Sequence, residues 1–145
     1  MGWRLMAEIA HEIKINAPRT DVFAALSTRV GMQGWHTTDV SGDGSVGSVW
    51  HLGFGEGPTF EWEVTASEPD VRVHWLCLDG PGDSAGTTVE YRLSDTDDGR
   101  TLVEQLHAGW PHEEGAFRKC NTLWGVLLTH LQNYAETAVS HPAYS

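Results

Sequence analysis

Between Glu8 and Ile15 the side chains alternate, with Ile9, Ile13 and Ile15 on one side and Glu8, Glu12 and Lys14 on the other. A period of two predicts a half-buried strand. Asn16–Arg19 interrupts it, Pro18 suits the first position of a helix, and Val22, Phe23 and Leu26 then recur at helical spacing. A second short helical turn is predicted after Thr28, ended by Gly34. Beyond the turn-rich stretch Ser41–Gly47, strand-like segments follow at 46–54, 59–66, 71–78, 86–94 and 100–107. Gly, Pro and Asp cluster between them, at 55–58, 68–70, 80–83 and 95–99, as turns do in an antiparallel meander.

At Glu113 the hydrophobic period changes from about 2 to about 3.6. Phe117, Cys120, Trp124, Leu127, Leu128, Leu131, Tyr134, Ala135 and Ala138 make one apolar face of a long helix, closed by His141-Pro142. The predicted fold class is therefore α+β: one strand, two short helices, then a curved antiparallel β-sheet wrapped around a long C-terminal α-helix. No repeat or linker divides the chain. A single domain is expected over residues 8–140, with residues 1–7 a flexible N-terminal extension and Met6 a candidate second start.

The turns set the strand faces against each other. Across 68–70, Trp62 is expected near Trp75, Val64 near Val73 and Phe60 near Cys77, with Glu63 and His74 paired on the charged opposite face. The Trp62–Trp75 pair then points at the long helix, as cavity wall or as ordinary core. Across 95–99, Val103 is expected near Tyr91 and Gln105 near Val89. If Tyr91 and Val89 face inward, so do Gln105 and His107, and buried polar groups need partners. A ligand, water or each other can supply them; alternatively His107 anchors the loop that follows.

Composition sharpens this picture. Seven tryptophans (Trp3, Trp35, Trp50, Trp62, Trp75, Trp110 and Trp124) suit the wall of a cavity that is apolar but not wholly dry. Trp35 and Trp110 are assigned to loops near its mouth, and Trp3 to the extension. Nine Lys+Arg against 20 Asp+Glu give a net charge of −11. That charge argues against nucleic acid and against an anionic membrane surface as partners. No apolar run reaches the roughly 20 residues of a membrane span. With no secretory signal pattern and two cysteines, Cys77 and Cys120, that make no disulfide framework, a cytoplasmic protein with reduced thiols is expected.

Candidate chemistry is sparse. Glu104 and His107 are an odd number of residues apart on one strand, so they point to opposite faces and make no dyad. Glu61 and Glu63 share a face, but it is the one opposite Trp62. No Ser-His-Asp order is present, and Ser41–Gly47 lacks the lysine and helix of a phosphate loop. His107 and His112 straddle a Gly-Trp-Pro turn, and Cys77 and Cys120 can approach from sheet and helix, yet no ligand spacing of a structural zinc site occurs. No metal and no cofactor are expected. His36, His51, His74 and His130 are assigned to surfaces or to the cavity mouth.

Several motifs carry a resemblance. Ile15-Asn16-Ala17-Pro18 followed by Val22-Phe23-Ala24-Ala25-Leu26 resembles the opening of START-like (SRPBCC, Bet v 1-like) proteins. His107-Ala108-Gly109-Trp110, then Cys120, Trp124, Leu128, Leu131 and Tyr134, is similar to the closing signature of the subgroup named for the C-terminal domain of the activator of Hsp90 ATPase. Gly34-Trp35-His36 resembles that subgroup's aromatic pair, with His36 where a second aromatic is usual. The resemblance spans residues 8–138. It implies a helix-grip fold with a cavity for a hydrophobic small molecule between sheet and helix, in a superfamily that includes carriers and polyketide cyclases. Fold alone does not choose among these.

Two functions follow. The first is binding of a hydrophobic or aromatic small molecule, with or without cyclase-like or other acid/base activity. Trp35, Trp62, Trp75, Tyr91, Phe117, Cys120 and Trp124 are the candidate ligand-binding walls, Gln105 and His107 the orienting polar groups. His107 is the best candidate for a catalytic acid or base, because its ordinary pKa lies near neutrality. The second is a protein-interaction module, chaperone cofactor-like or homodimerising, for which Leu102 and Leu106 on the sheet exterior would be the contact.

Overall fold

The computed structural model describes residues 6–145, so Trp3 and most of the expected extension lie outside the described residues. The element order is β1 (Ala7–Ile15), α1 (Arg19–Ser27), α2 (Arg29–Trp35), β2 (Asp39–Ser41), β3 (Val49–Gly53), β4 (Thr59–Glu68), β5 (Arg72–Asp79), a 3-10 turn at Gly82–Ser84, β6 (Thr88–Asp95), β7 (Thr101–Trp110) and α3 (Ala116–Thr137). The strands form one antiparallel sheet in the order β1-β7-β6-β5-β4-β3-β2. The first and last long strands are thus neighbours, and the sheet wraps α3 as a helix-grip fold. The short strand β2 escaped the sequence pattern because three residues are too few to show alternation.

Face assignments hold, while registers move by two. In the β6–β7 hairpin Val103 lies opposite Leu93, Gln105 opposite Tyr91 and His107 opposite Val89, not the expected Val103–Tyr91 and Gln105–Val89 pairs. The loop is centred one residue later than expected, closed by Thr96 N–H donating to the Arg100 carbonyl. A shift of two leaves every side chain on its predicted face. In the β4–β5 hairpin Trp62 lies opposite Cys77 and Val64 opposite Trp75; Glu63 faces Leu76 and His74 faces Ala66. The expected Trp62–Trp75, Val64–Val73, Phe60–Cys77 and Glu63–His74 pairs are therefore corrected. The turn is centred on residue 70, with Glu68 opposite Arg72, later than expected, and an irregularity between Val64 and Ala66 takes back one residue. That irregularity leaves the exposed Thr65 as an extra residue and reverses the facing of everything beyond it. Without it, Glu63 and Thr65 would point at the core in place of Trp62 and Val64.

Helix α3 buries Phe117, Cys120, Trp124, Leu127, Leu128 and Leu131, with Tyr134 and Ala135 half-buried. It begins three residues after Glu113 and ends before His141-Pro142. Ala138 in the left-handed conformation (φ 59°) closes it, its N–H donating to the Tyr134 carbonyl. Gly34 does not terminate α2 but sits inside it. A Cβ there would collide with the Tyr134 ring, so glycine is what lets α2 dock on α3. Beyond residue 140, where the domain boundary was expected, the chain turns back on α2. His141 N–H donates to the Gly34 carbonyl, Ala143 N–H to Trp35 and Tyr144 N–H to His36, while the Tyr144 carbonyl accepts from Thr38 N–H.

Candidate functional site

The period-2 pattern of β4 and β7 and the 3.6 pattern of α3 deliver their inward residues to one space. A cavity of about 200 Å³ lies there. Phe60 and Trp62 from β4 and His107 from β7 form its sheet side; Cys120, Leu123, Trp124 and Leu127 form its helix side. His36 after α2, Phe54, Gly57 and Pro58 from the β3–β4 connection, and Tyr144 from the returning tail complete the lining. The rings are in contact: Phe60 stacks on Trp62 (5.6 Å, 9°), Phe54 meets Tyr144 edge-on (4.9 Å, 80°), and His36 meets Trp124 edge-on (6.4 Å, 80°).

Of the predicted ligand-binding residues, Trp62, His107, Cys120 and Trp124 line this cavity, and Trp35, Trp75, Tyr91, Gln105 and Phe117 do not. Those five are buried around it. Trp35 is core in α2, its Nε1–H donating to the Ala25 carbonyl (2.8 Å), not a mouth loop. Trp110 is the last residue of β7, fully buried, 4.7 Å from the His107 ring and edge-on to Phe117. Trp50, unassigned from sequence, is buried opposite Trp62. Tyr91 and Gln105 face each other on the sheet floor, and both the tyrosine hydroxyl and the glutamine amide lack a protein partner. Sequence reasoning missed Phe54, Leu123, Tyr144 and the inward position of His36. Phe60 and Leu127 were legible from periodicity; the tail and the β3–β4 connection carry no periodic signal at all.

The geometry around His107 fixes its chemistry. Trp124 Nε1–H donates to His107 Nδ1 (3.0 Å), which makes that nitrogen an acceptor. The proton then sits on Nε2 and donates to Thr87 Oγ1 (2.8 Å), whose own hydrogen goes to the Ser84 carbonyl (2.6 Å). Both ring nitrogens are committed, and burial lowers the imidazole pKa to about 3. His107 thus joins sheet to helix as a buried neutral ring with both nitrogens bonded within the protein. Burial likewise lowers His36 to about 3 and pushes the Cys77 and Cys120 thiols up to about 12 and about 11. The Tyr91 hydroxyl is pushed upward by burial too. None of these groups exchanges a proton near neutrality, and both thiols are free and un-ionised.

Glu104 is exposed on the outer face, opposite in facing to His107 as expected. His112 pairs with Asp83 (2.7 Å) and His51 with Glu61 (3.3 Å), both on the surface. Among the described residues no group of three or more His, Cys, Asp or Glu is arranged to hold a metal ion, and no helix is long and apolar enough to cross a membrane. Leu102 and Leu106 face outward but are half-buried beside Lys14, Glu90 and Ser94 as well as Ala10, so they form no continuous apolar stripe.

Known proteins agree with this architecture. The solution structure of the Aha1 dimer from Colwellia psychrerythraea is 32% identical, with a TM-score of 0.83 over 91% of this chain and 98% of that one. CalU16 from Micromonospora echinospora is 23% identical, with a TM-score of 0.74 over 89% of this chain and 74% of that one. DynU16, from the dynemicin biosynthetic locus, is 20% identical, with a TM-score of 0.73 over 92% of this chain and 48% of that one. The latter two likenesses speak to the fold alone. No curated protein matches the chain. The family model described as "Activator of Hsp90 ATPase homolog 1-like protein" matches residues 16–136. With the helix-grip sheet, the aromatic cavity and the His107–Trp124 closure in place, the chain belongs to this family of activator of Hsp90 ATPase homolog 1-like proteins, within the START-like superfamily.

Proposed function

We propose that the protein binds a small, predominantly apolar molecule between the sheet and α3 and performs no acid–base chemistry on it. The observation that carries this reading is the cavity of about 200 Å³ walled by Phe54, Phe60, Trp62, Leu123, Trp124 and Leu127. Concave, largely aromatic sites with few polar groups are the usual form of small-molecule pockets. The committed nitrogens of His107 and the un-ionised thiols favour binding over catalysis. A cytoplasmic setting belongs to the proposal and is supported by the free Cys77 and Cys120. Thermal-shift screening with apolar one- and two-ring compounds tests it. A saturating ligand at a hundred times its Kd should stabilise the fold by about 2.7 kcal/mol. The shift should vanish when Leu127→Trp fills the cavity. Absence of any stabilising compound would sink the reading.

A homodimer is the second reading, favoured by α3. Its outward residues include the exposed Val126, and no charged residue occurs between Asn121 and Ala135 in a chain of net charge −11. A second copy meeting that neutral face avoids the repulsion that acidic surfaces impose on each other, and the similar protein from Colwellia psychrerythraea is itself a dimer. Sedimentation velocity across a hundredfold concentration range should show self-association that Val126→Lys abolishes. A wild-type chain that stays monomeric throughout rejects it.

A further inference from the structure

The two imidazoles lining the cavity are not equivalent. His107 has both nitrogens bonded within the protein, whereas His36 is 3% exposed and its Nδ1 has no partner. The His36 backbone is pinned on both sides, its N–H donating to the Met32 carbonyl (2.9 Å) and its carbonyl accepting from Tyr144 N–H (3.2 Å). Trp35, Phe54 and Trp124 hold the ring at centroid distances of 4.8, 5.5 and 6.4 Å. A buried polar atom with no partner is costly unless something supplies one. His36 is one of the residues that line the cavity, so a molecule bound there can meet its ring.

Resting on the reading of the cavity as a binding site, we infer that His36 is its polar anchor and that the molecule bound is a neutral aromatic of one or two rings bearing a hydroxyl group. The size follows from the volume: an apolar cavity of about 150 Å³ takes up benzene, and this one is somewhat larger. The aromatic character follows from the faces and edges of Phe54, Phe60, Trp62 and Trp124. The hydroxyl follows from the imidazole. A neutral ring offers one donor and one acceptor, and a hydroxyl can serve whichever nitrogen is presented. A carboxylate is excluded on two grounds. It would leave water for a site whose free polar group is an uncharged ring, and it would approach a protein of net charge −11.

Calorimetric titration with 2-naphthol, naphthalene and 2-naphthoate at pH 7 tests the anchor. The wild type should bind 2-naphthol about tenfold tighter than naphthalene, the worth of one hydrogen bond to an otherwise unpaired buried group, and should bind 2-naphthoate least. In His36→Phe the preference for 2-naphthol should disappear while naphthalene still binds. Nitrogen-15 spectra of the wild-type imidazoles give an answer that does not depend on the variant folding: 2-naphthol, and not naphthalene, should shift the His36 ring nitrogens. Equal affinities for 2-naphthol and naphthalene in the wild type overturn the anchor and leave the cavity reading standing. Tightest binding of 2-naphthoate also overturns the anchor. If none of the three binds, the cavity reading fails and takes the anchor with it.

Discussion

Trp124→Ala is expected to lose about 3–5 kcal/mol of folding stability, the usual cost of emptying a large aromatic site. The indole is 4% exposed and touches His36, Tyr91 and His107 from the middle of α3. Its removal merges the space it fills with the cavity beside it and leaves His107 Nδ1 an unpaired buried acceptor. Trp124→Phe separates the two effects. Phenylalanine keeps most of the apolar volume but has no N–H, so its expected cost is about 1–3 kcal/mol, set by the orphaned nitrogen. Urea unfolding followed by far-ultraviolet circular dichroism reads both without relying on the tryptophan removed. If Trp124→Phe is as stable as the wild type, the bond from Nε1 to His107 contributes nothing and the sheet–helix tie described above is wrong.

Stability is expected to fall steeply as the pH drops below about 6.5. His36 and His107 are held neutral by burial, their pKa values lowered from 6.5 to about 3. Above pH 6.5 both are neutral whether the chain is folded or not, and they contribute no pH dependence. Between about 6.5 and 3 the unfolded chain takes up protons there that the folded protein refuses, so protons favour unfolding. Each histidine accounts for up to about 1.4 kcal/mol per pH unit, and the pair for about 4 kcal/mol lost by pH 5. Urea midpoints at pH 8, 7, 6 and 5 should be level at first and then decline. His36→Phe should roughly halve the decline. Midpoints unchanged from pH 7 to pH 5 would show that the two rings are not buried as neutral groups.

The sequence spoke clearly about facing and poorly about partners. Alternation put Trp62 and Trp75 on one face and tied the facing of Gln105 and His107 to that of Tyr91 and Val89, because side-chain period is a local property of a strand. Register depends on where a turn is centred and on whether an extra residue intervenes. Neither the later centre of the 95–101 turn nor the Thr65 irregularity leaves a compositional mark. The walls of the cavity were half legible for a similar reason. Residues delivered by β4, β7 and the buried face of α3 could be anticipated, Leu123 at the edge of that face could not, and Phe54, Pro58 and Tyr144 arrive through connections and a tail whose positions depend on tertiary packing. His107 was found but its role was not. Its role depends on Trp124 and Thr87, which are 17 and 20 residues away along the chain.

The ring chain that runs from Phe60 through Trp62 to Trp75 and Tyr91, and from there to Trp124, has an optical consequence. Trp62 and Trp124 border the cavity, and Trp75 lies 6.0 Å from Trp62, close enough for excitation absorbed by one ring to be emitted by the other. An occupant touching Trp62 or Trp124 would change their emission directly. The protein thus carries its own fluorophore array, and occupancy can be followed without a label.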